Sequence, residues 1–415
     1  MTGQEFVKVQ GTQLFRDGKP YKVVGTNFWH GMNMGAIEEW GGDRKRLDAE
    51  LDELKSLGIN MLRIMASSEG VGDEPFRMKP CLMTAPGVYN EEIFCGLDYF
   101  LDALSKRGFT AIVTLNNQWH WSGGFSQYVA WVTGDKNIQY PPSWDPEAKA
   151  YTTSGSFDEF VGYGNRFYND ESIRGKVDQI FKANLDTIIN RRNTINGVLY
   201  SQDPAILAWE LCNEPQFPPA WWVDDNAGYI HKLGVSQLIT TGIEAKYDQQ
   251  DFNNAHASSH IDFCTSHFWC ENWEIYDPQD RTGQSLEKTK LAVTEFMHKL
   301  SAWSQELDKP HIMEEFGMAR DAHLGEKYSE KTSTTHRDEY FSTIYKVVEQ
   351  LGAEGKISGT SFWAWGGQAT ESAQANNYGV KHNGDPPHET PFWYSVLSSD
   401  DSTKEVLKAH VHRFL

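Results

Sequence analysis

Acidic side chains stand at two places where buried strands are predicted to end. Residues 206–215 read Ile-Leu-Ala-Trp-Glu-Leu-Cys-Asn-Glu-Pro, an apolar run that leads to Glu214. Such a run is typical of a strand buried on both faces of a parallel sheet. The second place is residues 311–317, His-Ile-Met-Glu-Glu-Phe-Gly. Because side chains alternate along a strand, only one of Glu314 and Glu315 is expected to point inward, and alternation leaves open which one.

Two carboxyl groups on separate strand ends that face one cavity are the minimal apparatus for hydrolysing a glycosidic bond. One must be protonated to release the leaving oxygen, and the other must be ionised to attack the sugar or to stabilise an oxocarbenium-like centre. A single glutamate of this kind is more often a salt-bridged structural group. Two of them in one pattern of strands favour a catalytic pair.

Other residues at predicted strand ends could support such a pair. Arg63 could hold a carboxylate in its ionised form through a bidentate hydrogen bond. Asn213 could donate to a sugar hydroxyl, and His267 ends the sixth predicted strand. Trp363 and Trp365, in Phe-Trp-Ala-Trp-Gly-Gly, could form the floor of a sugar site.

Aromatic residues make up 13% of the chain, which has 15 tryptophans. Most large aromatic residues belong to the core, but some of these tryptophans stand in predicted loops beside polar residues. A flat apolar ring with a polar edge suits the C–H faces of a sugar. These candidates are Trp119, Trp121, Trp269, Trp273 and Trp365.

The charge of the chain restricts its partners. The 38 basic and 57 acidic side chains among 415 residues give a formal net charge of -19. This field repels nucleic acid and anionic membranes, so neither is an expected partner, and a neutral small ligand is favoured. No apolar run is long enough to span a membrane, and the N-terminal residues MTGQEFVKVQ show no leader. We expect a secreted or periplasmic protein whose leader is absent from this chain.

Cysteine and histidine spacing predicts no metal site and no cofactor. The five cysteines are an odd number without a CxxC pair, which argues against a structural zinc site and a disulfide framework. His256 and His260 have the i,i+4 spacing of a zinc helix, but the glutamate expected beside the first histidine is missing. We interpret both as surface histidines. Asp400-Asp401 is interpreted as a surface turn.

Short apolar strands alternate with amphipathic helices along the chain. This alternation predicts an α/β fold, a (β/α)₈ TIM barrel in one domain over residues 1–415. The predicted strands are Tyr21–Asn27, Asn60–Met65, Thr110–Asn116, Ala205–Leu211, Gln237–Thr241, Ile261–His267, His311–Glu315 and Gly359–Trp365. The predicted helices are 43–57, 91–107, 171–192, 283–307, 335–353 and 402–413.

The segments between the predicted strands and helices lead to further predictions. Residues 6–19 read as a hairpin that could plug the N-terminal mouth of the barrel. The long segments 66–90 and 117–170 are expected to project from the C-terminal face as functional walls. After the fourth strand the helical pattern is weak, because Pro218-Pro219 and Gly228 interrupt it.

Several motifs resemble glycoside hydrolase family 5 of clan A, and within it the β-1,4-mannanase and β-mannosidase group. The resemblance extends over nearly the whole chain. The motifs are Arg192-Asn193-Thr194, Tyr200-Ser201-Gln202-Asp203-Pro204-Ala205-Ile206, Trp209-Glu210-Leu211-Cys212-Asn213-Glu214-Pro215, Leu115-Asn116-Asn117-Gln118-Trp119 with Ser122-Gly123-Gly124, Lys309-Pro310 with Glu314-Glu315-Phe316-Gly317, Ser361–Gly367 and Gly384-Asp385-Pro386-Pro387.

The resemblance implies a role for individual residues. Glu214 matches the family's acid/base and Glu315, before Phe-Gly, matches its nucleophile, which resolves the choice between Glu314 and Glu315. The resemblance also implies supporting or substrate-binding positions for Arg63 at the nucleophile, Asn213 at the sugar 2-hydroxyl, the active-site His267, Trp119 in the cleft and Trp363 at the eighth strand. Asn117 and Trp365, which stand in the same motifs, are further substrate-binding candidates.

Two positions depart from the family pattern. Much of the family has tyrosine where this chain has Trp269, and an indole offers an N–H donor in a different position from a phenol hydroxyl. The usual arginine after Asn-Glu-Pro is Gln216, which removes a charge.

The function that follows is retaining hydrolysis of β-1,4-mannosidic bonds in mannan or mannooligosaccharides, within the chain. Exo-β-mannosidase action is the alternative, because the long segments 66–90 and 117–170 could wall off one end of the cleft. A β-glucanase and a barrel that only binds glycan are less favoured. The latter would be expected to lose a carboxylate, and both are present.

Overall fold

Parallel strands form the centre of the molecule. The computed structural model describes residues 5–72, 74–325 and 329–415, so residues 1–4 of the segment searched for a leader lie outside the described part. The strands of the central eight-stranded sheet, β1 to β8 in chain order, are Val23–Asn27, Met61–Met65, Thr110–Thr114, Ile206–Glu210, Leu238–Thr240, Cys264–Phe268, His311–Phe316 and Gly359–Phe362.

The sheet closes on itself. Its strands are hydrogen-bonded in the order β5-β4-β3-β2-β1-β8-β7-β6, and all these neighbours are parallel. Backbone bonds from Asp262 N–H to the Ile239 oxygen (2.8 Å) and from His267 N–H to the Glu244 oxygen (3.0 Å) connect the two edges. The predicted (β/α)₈ barrel and its eight strands are confirmed, although several strand ends shift by one to three residues.

Helices surround the barrel and connect its strands. Within the described residues they are α1 Gly31–Met34, α2 Arg44–Ser56, α3 Glu91–Arg107, α4 Gly124–Thr133, α5 Phe157–Gly164, α6 Arg166–Asn169, α7 Arg174–Ile189, α8 Ala220–Lys232, α9 Gln249–His256, α10 Gln284–Glu306, α11 Thr335–Ala353 and α12 Asp401–Phe414. Each of the six predicted helices is present. None of the described helices has the length and apolarity that crossing a membrane requires.

The helix after β4 is stronger than its sequence pattern indicates. The two prolines do not break it, because Pro219 is its N-cap and the helix begins with the next residue. Gly228 lies inside α8, where a Cβ atom would come within 3.1 Å of the His260 ring. The glycine therefore permits close packing instead of ending the helix.

The N-terminal segment closes the lower end of the barrel, as predicted. Strand Lys8–Gln10 pairs with Gln13–Arg16, which pairs in turn with Lys19–Pro20. Leu14 from this small sheet and Val7, just before it, belong to one apolar cluster with residues from the barrel strands. These barrel residues are Val23, Met61, Ile112, Leu207, Ala208, Leu238 and Ile312.

Two polar residues that were interpreted as surface positions are buried. The imidazole of His256 is fully buried, with Nδ1 3.0 Å from the Phe252 oxygen and Nε2 accepting from Thr265 N–H at 3.1 Å. Asp400 is also buried and accepts hydrogen bonds from both Nη atoms of Arg320, at 2.8 and 2.7 Å. Arg337 approaches the same carboxylate at 3.4 Å. Asp400 therefore compensates two buried guanidinium groups.

Replacing Asp400 with asparagine should lower the free energy of unfolding by about 3–5 kcal/mol, because Arg320 and Arg337 would lose the charge that compensates them. Asp401→Asn is the matched control. That neighbouring side chain is 89% exposed, so its loss should cost less than about 1 kcal/mol. Chemical denaturation of both variants measures the difference, and equal losses would contradict the structural role of Asp400.

Candidate active site

A cleft of about 510 Å³ opens at the carboxyl ends of the barrel strands, where catalytic groups of this fold lie. A larger cavity of about 930 Å³ shares none of its lining residues. The cleft is lined by Trp119, His120, Trp121, Pro141, Pro142, Tyr151, Phe157, Asp158, Val161, Asn213, Glu214, Gln216, Glu244, Lys246, Tyr247, Trp269, Asn272, Trp273, Glu315, Trp363, Pro386, His388, Glu389 and Trp393.

Glu214 lies four residues beyond the end of β4. Its φ of +51° belongs to the left-handed region that non-glycine residues rarely adopt, and its N–H donates to the Gly242 oxygen at 2.8 Å. The indole N–H groups of Trp119 and Trp269 donate to its two carboxyl oxygens, at 2.6 and 3.0 Å. Burial raises the pKa of Glu214, and these two hydrogen bonds oppose that rise. A carboxyl group with a raised pKa can stay protonated and act as an acid.

Glu315 reaches the mouth of the barrel through a β-bulge. Ser266 of β6 is paired with Met313 of β7, whereas His267 is paired with Glu315, so Glu314 is the extra residue. Arg63 and His267 both lie near the carboxylates of Glu314 and Glu315. The expectation that only one of the two glutamates points inward is wrong, because the bulge interrupts the alternation after Glu314.

Arg63 projects from β2 among three buried carboxylates. It donates to Glu210 through Nε at 3.0 Å and Nη2 at 2.6 Å, and its Nη1 donates to Glu315. The carboxylate of Glu314 lies 3.9 Å from its Nε. Burial raises the pKa of Glu315 well above its usual range, and the Arg63 guanidinium opposes this rise. Arg63 is therefore the group that favours the ionised form of Glu315.

His267 lies between the two candidate catalytic glutamates. Its Nδ1 is 2.7 Å from Glu214 and 3.3 Å from Glu315. Burial lowers its pKa well below the usual range, which favours the neutral imidazole. A neutral ring can donate one hydrogen bond to the pair without adding a charge.

Asn213 and Asn117 belong to one hydrogen-bonded set behind the cleft. Asn213 accepts from Arg63 at 2.8 Å and donates to Asn117 at 3.1 Å. Asn117 also accepts from Trp119 N–H at 3.0 Å. Asn213 lines the cleft and keeps one amide hydrogen for a ligand, whereas Asn117 lies behind it and orients its neighbours.

Five of the six tryptophans proposed for the sugar site line the cleft, and Trp365 does not. The ring of Trp363 packs edge-on against Trp269 at 5.9 Å and against Trp121 at 6.1 Å. Trp365 is fully buried in a short strand, Trp365–Gly367, that pairs with Val396–Leu397. Its predicted place in the floor of the sugar site is therefore corrected to the core.

Sequence reasoning missed several acidic and aromatic residues of the cleft. Glu244 follows β5, and burial raises its pKa to about 8, while Trp273 Nε1 donates to it at 2.9 Å. An acidic residue just beyond the fifth predicted strand is a signal that could have identified it. Glu389 and Trp393 come from the segment after β8, which shows no strand or helix pattern that would place them.

The distance between the carboxyl groups indicates the type of reaction. The ligand atoms of Glu214, His267 and Glu315 all lie within 4.8 Å of one another. Glycosidases that form a covalent intermediate have carboxyl groups about 5–5.5 Å apart, whereas inverting enzymes need about 6.5–9.5 Å to admit a water molecule. The bound of 4.8 Å agrees with the shorter of these two spacings.

Comparison with known proteins agrees with this geometry. The family model described as GH family 5 beta-mannosidase-like matches residues 4–414. A crystal structure of a glycoside hydrolase family 5 mannosidase from Rhizomucor miehei is 43% identical, covers 99% of this chain and 97% of its own, and has a TM-score of 0.94. The same enzyme has been solved, as a mutant, with mannosyl-fructose.

A putative mannan endo-1,4-beta-mannosidase 9 from Oryza sativa subsp. japonica is 28% identical over 86% of this chain and 81% of its own length. The match of the family model extends over both candidate catalytic strands, the bulge and the residues that line the cleft. The chain therefore belongs to glycoside hydrolase family 5, in its beta-mannosidase-like group.

Proposed function

We propose that this protein hydrolyses β-1,4-mannosidic bonds with retention of the anomeric configuration, and that it cleaves within mannan or mannooligosaccharide chains. The observation that carries the proposal is the close pair of Glu214 and Glu315 in one cleft. The relatives named as mannan endo-1,4-beta-mannosidases support mannan as substrate and internal cleavage. The mannosidase that was solved with mannosyl-fructose supports a mannose-containing ligand.

The proposed reaction has two steps. Glu315 attacks the anomeric carbon while Glu214 donates its proton to the leaving oxygen, so the glycosidic bond breaks and a glycosyl ester of Glu315 forms. Glu214, now ionised, then removes a proton from water as the water oxygen attacks the same carbon. The ester breaks, Glu315 leaves as a carboxylate, and Glu214 is protonated again.

We propose that the leaving group lies on the side of the cleft that is lined by Gln216, Glu244 and Tyr247. Gln216 donates to the Glu214 backbone oxygen at 3.1 Å and lies 3.4 Å from the Glu244 carboxyl group. Tyr247 is 41% exposed there and stacks on Phe217 at 4.5 Å. The polar groups suit sugar hydroxyls and the rings suit a sugar face, so these residues replace the arginine contact that Gln216 removes.

Exo-β-mannosidase action is the second candidate, and contacts between two loops favour it. Trp144 in the segment 117–170 donates its N–H to the His388 oxygen at 2.9 Å. Thr390 donates to the Tyr151 hydroxyl at 3.1 Å. These contacts join two walls of the cleft, and a wall across one end would stop a polymer from passing through.

A mannan polymer cannot cross a membrane. We therefore propose that the enzyme acts outside the cytoplasm, as a secreted or periplasmic protein.

The products released first from mannohexaose distinguish internal from terminal cleavage. Internal cleavage predicts mannobiose, mannotriose and mannotetraose from the first turnovers, because the chain lies across the catalytic pair. Chromatography at low conversion measures this distribution. Mannose with mannopentaose as the only early products would contradict internal cleavage and support the exo candidate, whereas no hydrolysis would contradict both.

The two glutamates should fail in different ways on an aryl β-mannobioside with a good leaving group. Glu315→Ala removes the attacking group, so turnover should fall by at least about 10⁴-fold, and added azide should enter from the vacated face to give the α-glycosyl azide. Glu214→Ala should still form the ester because the leaving group needs no proton, and azide should then give the β-glycosyl azide. Proton NMR of the azide products identifies each anomer.

The same anomer from both variants would contradict the assigned roles. Glu314→Gln is the control, because Glu314 is buried beside Arg63 and does not line the cleft. It should give hydrolysis products without azide. If Glu315→Ala kept its turnover and Glu314→Gln lost it, the assignment of the nucleophile would be reversed.

Trp119→Phe should move the alkaline limb of kcat/KM to higher pH. The Trp119 indole stabilises the ionised form of Glu214, so its removal raises the pKa of the acid and keeps the acid protonated to higher pH. A lost hydrogen bond to a charged group corresponds to a shift of about one pH unit. Trp121→Phe, a cleft tryptophan that is not a hydrogen-bond donor to Glu214 in the described structure, should leave the limb in place. A downward shift in Trp119→Phe would refute this role.

A further inference from the structure

A group of side chains of the types that bind metal ions lies outside the cleft. Potential ligand atoms of Asp321, His323 and His336 all lie within 4.8 Å of one another. The two imidazole rings stack with their centres 4.5 Å apart and their planes 25° from parallel. None of the three residues lines the cleft. We propose that these residues bind a divalent transition-metal ion, with Zn²⁺ as the ion that fits best.

The carboxylate of Asp321 is held in place by its neighbours. Its Oδ2 accepts from the Ser333 hydroxyl at 2.6 Å and from Thr335 N–H at 2.7 Å. Its Oδ1 accepts from His336 N–H at 2.9 Å. A carboxylate oxygen can accept two such interactions, so Oδ1 keeps a lone pair for a cation. The carboxylate is therefore a fixed ligand at the start of α11.

The two histidines supply the other ligands. His336 has its Nδ1 2.8 Å from the Tyr276 hydroxyl, and this contact leaves Nε2 for a metal and fixes the orientation of the ring. His323 has a buried Nδ1 that, within the described residues, has no hydrogen-bond partner. A buried ring nitrogen without a hydrogen-bond partner is costly. Coordination of a cation by this ring would supply the missing partner.

Two imidazoles and a carboxylate are a common protein ligand set for Zn²⁺, with water in the fourth position. Zinc–ligand distances of about 2.0–2.2 Å place neighbouring tetrahedral ligands about 3.3 Å apart. Binding therefore requires the group to contract by about 1.5 Å or less. His323 belongs to the connection between β7 and α11, and rotation of its ring can supply this movement.

Coordination would join two parts of the molecule near the nucleophile. Asp321 and His323 follow Phe316, the last residue of β7, whereas His336 lies in the first turn of α11. A bound cation would tie the segment that follows Glu315 to the start of α11. This predicts metal-dependent stability of a segment that begins at the catalytic strand.

The test uses the full chain without a polyhistidine tag, stripped with EDTA and titrated with Co²⁺. Wild type should bind one equivalent with a dissociation constant on the order of micromolar, show the visible absorption of tetrahedral Co²⁺, and lose it when Zn²⁺ is added. His336→Ala and His323→Ala should each weaken binding at least about tenfold. His412→Ala, which removes an exposed histidine on α12, should bind as wild type does.

A thermal melt supplies the second measurement. Saturating Zn²⁺ should raise the Tm of wild type by a few degrees and leave that of His323→Ala unchanged, because a ligand that binds only the folded state stabilises it. Wild type that shows no saturable binding overturns the proposal. Binding that persists in the His323→Ala/His336→Ala double variant also overturns it. Loss of binding in Glu315→Gln with retention in the double variant would place the cation in the cleft instead.

Discussion

The buried guanidinium of Arg63 is the interaction on which the catalytic end of the barrel depends. Arg63 is 3% exposed, and Glu210, Glu314 and Glu315 surround it at 2% exposure or less. Glu210 comes from β4, and Glu314 and Glu315 come from β7. One cation therefore compensates charges from two strands. Charges buried without a partner cost several kcal/mol each. We therefore expect Arg63 to have a structural as well as a chemical role.

The same cation gives the two glutamates proposed for catalysis different surroundings. Glu315 receives a hydrogen bond from a full positive charge, whereas Glu214 receives hydrogen bonds from the neutral indoles of Trp119 and Trp269. A guanidinium favours an ionised carboxylate more strongly than a neutral donor does. The double displacement proposed above requires the two side chains to differ in protonation state, and the charged donor at Glu315 favours that difference.

Much of the fold could be predicted from the sequence because its signals are local. Apolar runs ending in polar residues mark the strands, and the position of Glu214 after such a run places it at the mouth. The bulge at Glu314 could not be read in this way, since one extra residue in β7 changes which side chains face inward without changing composition. The resemblance to family 5 chose Glu315, which lines the cleft, while alternation by itself left the choice open.

Other residues were misplaced because their environment comes from distant parts of the chain. Asp400 has the sequence of a surface turn, yet Arg320, 80 residues earlier, makes it a buried ion-pair partner. Trp365 stands two residues from Trp363 in the same aromatic motif, but a short strand pair directs it into the core. Burial set by tertiary packing overrides local pattern at such positions.

The most direct test of the central claim, that Glu315 is the nucleophile that Arg63 keeps ionised, is to trap the covalent intermediate. A 2-deoxy-2-fluoro-β-mannosyl fluoride forms the glycosyl ester but slows its hydrolysis, because fluorine destabilises the charged transition state. Proteolysis and mass spectrometry then locate the label. The structure predicts a label on Glu315 in wild type and much slower labelling in Arg63→Met. A label on Glu314 or Glu214 would contradict the claim.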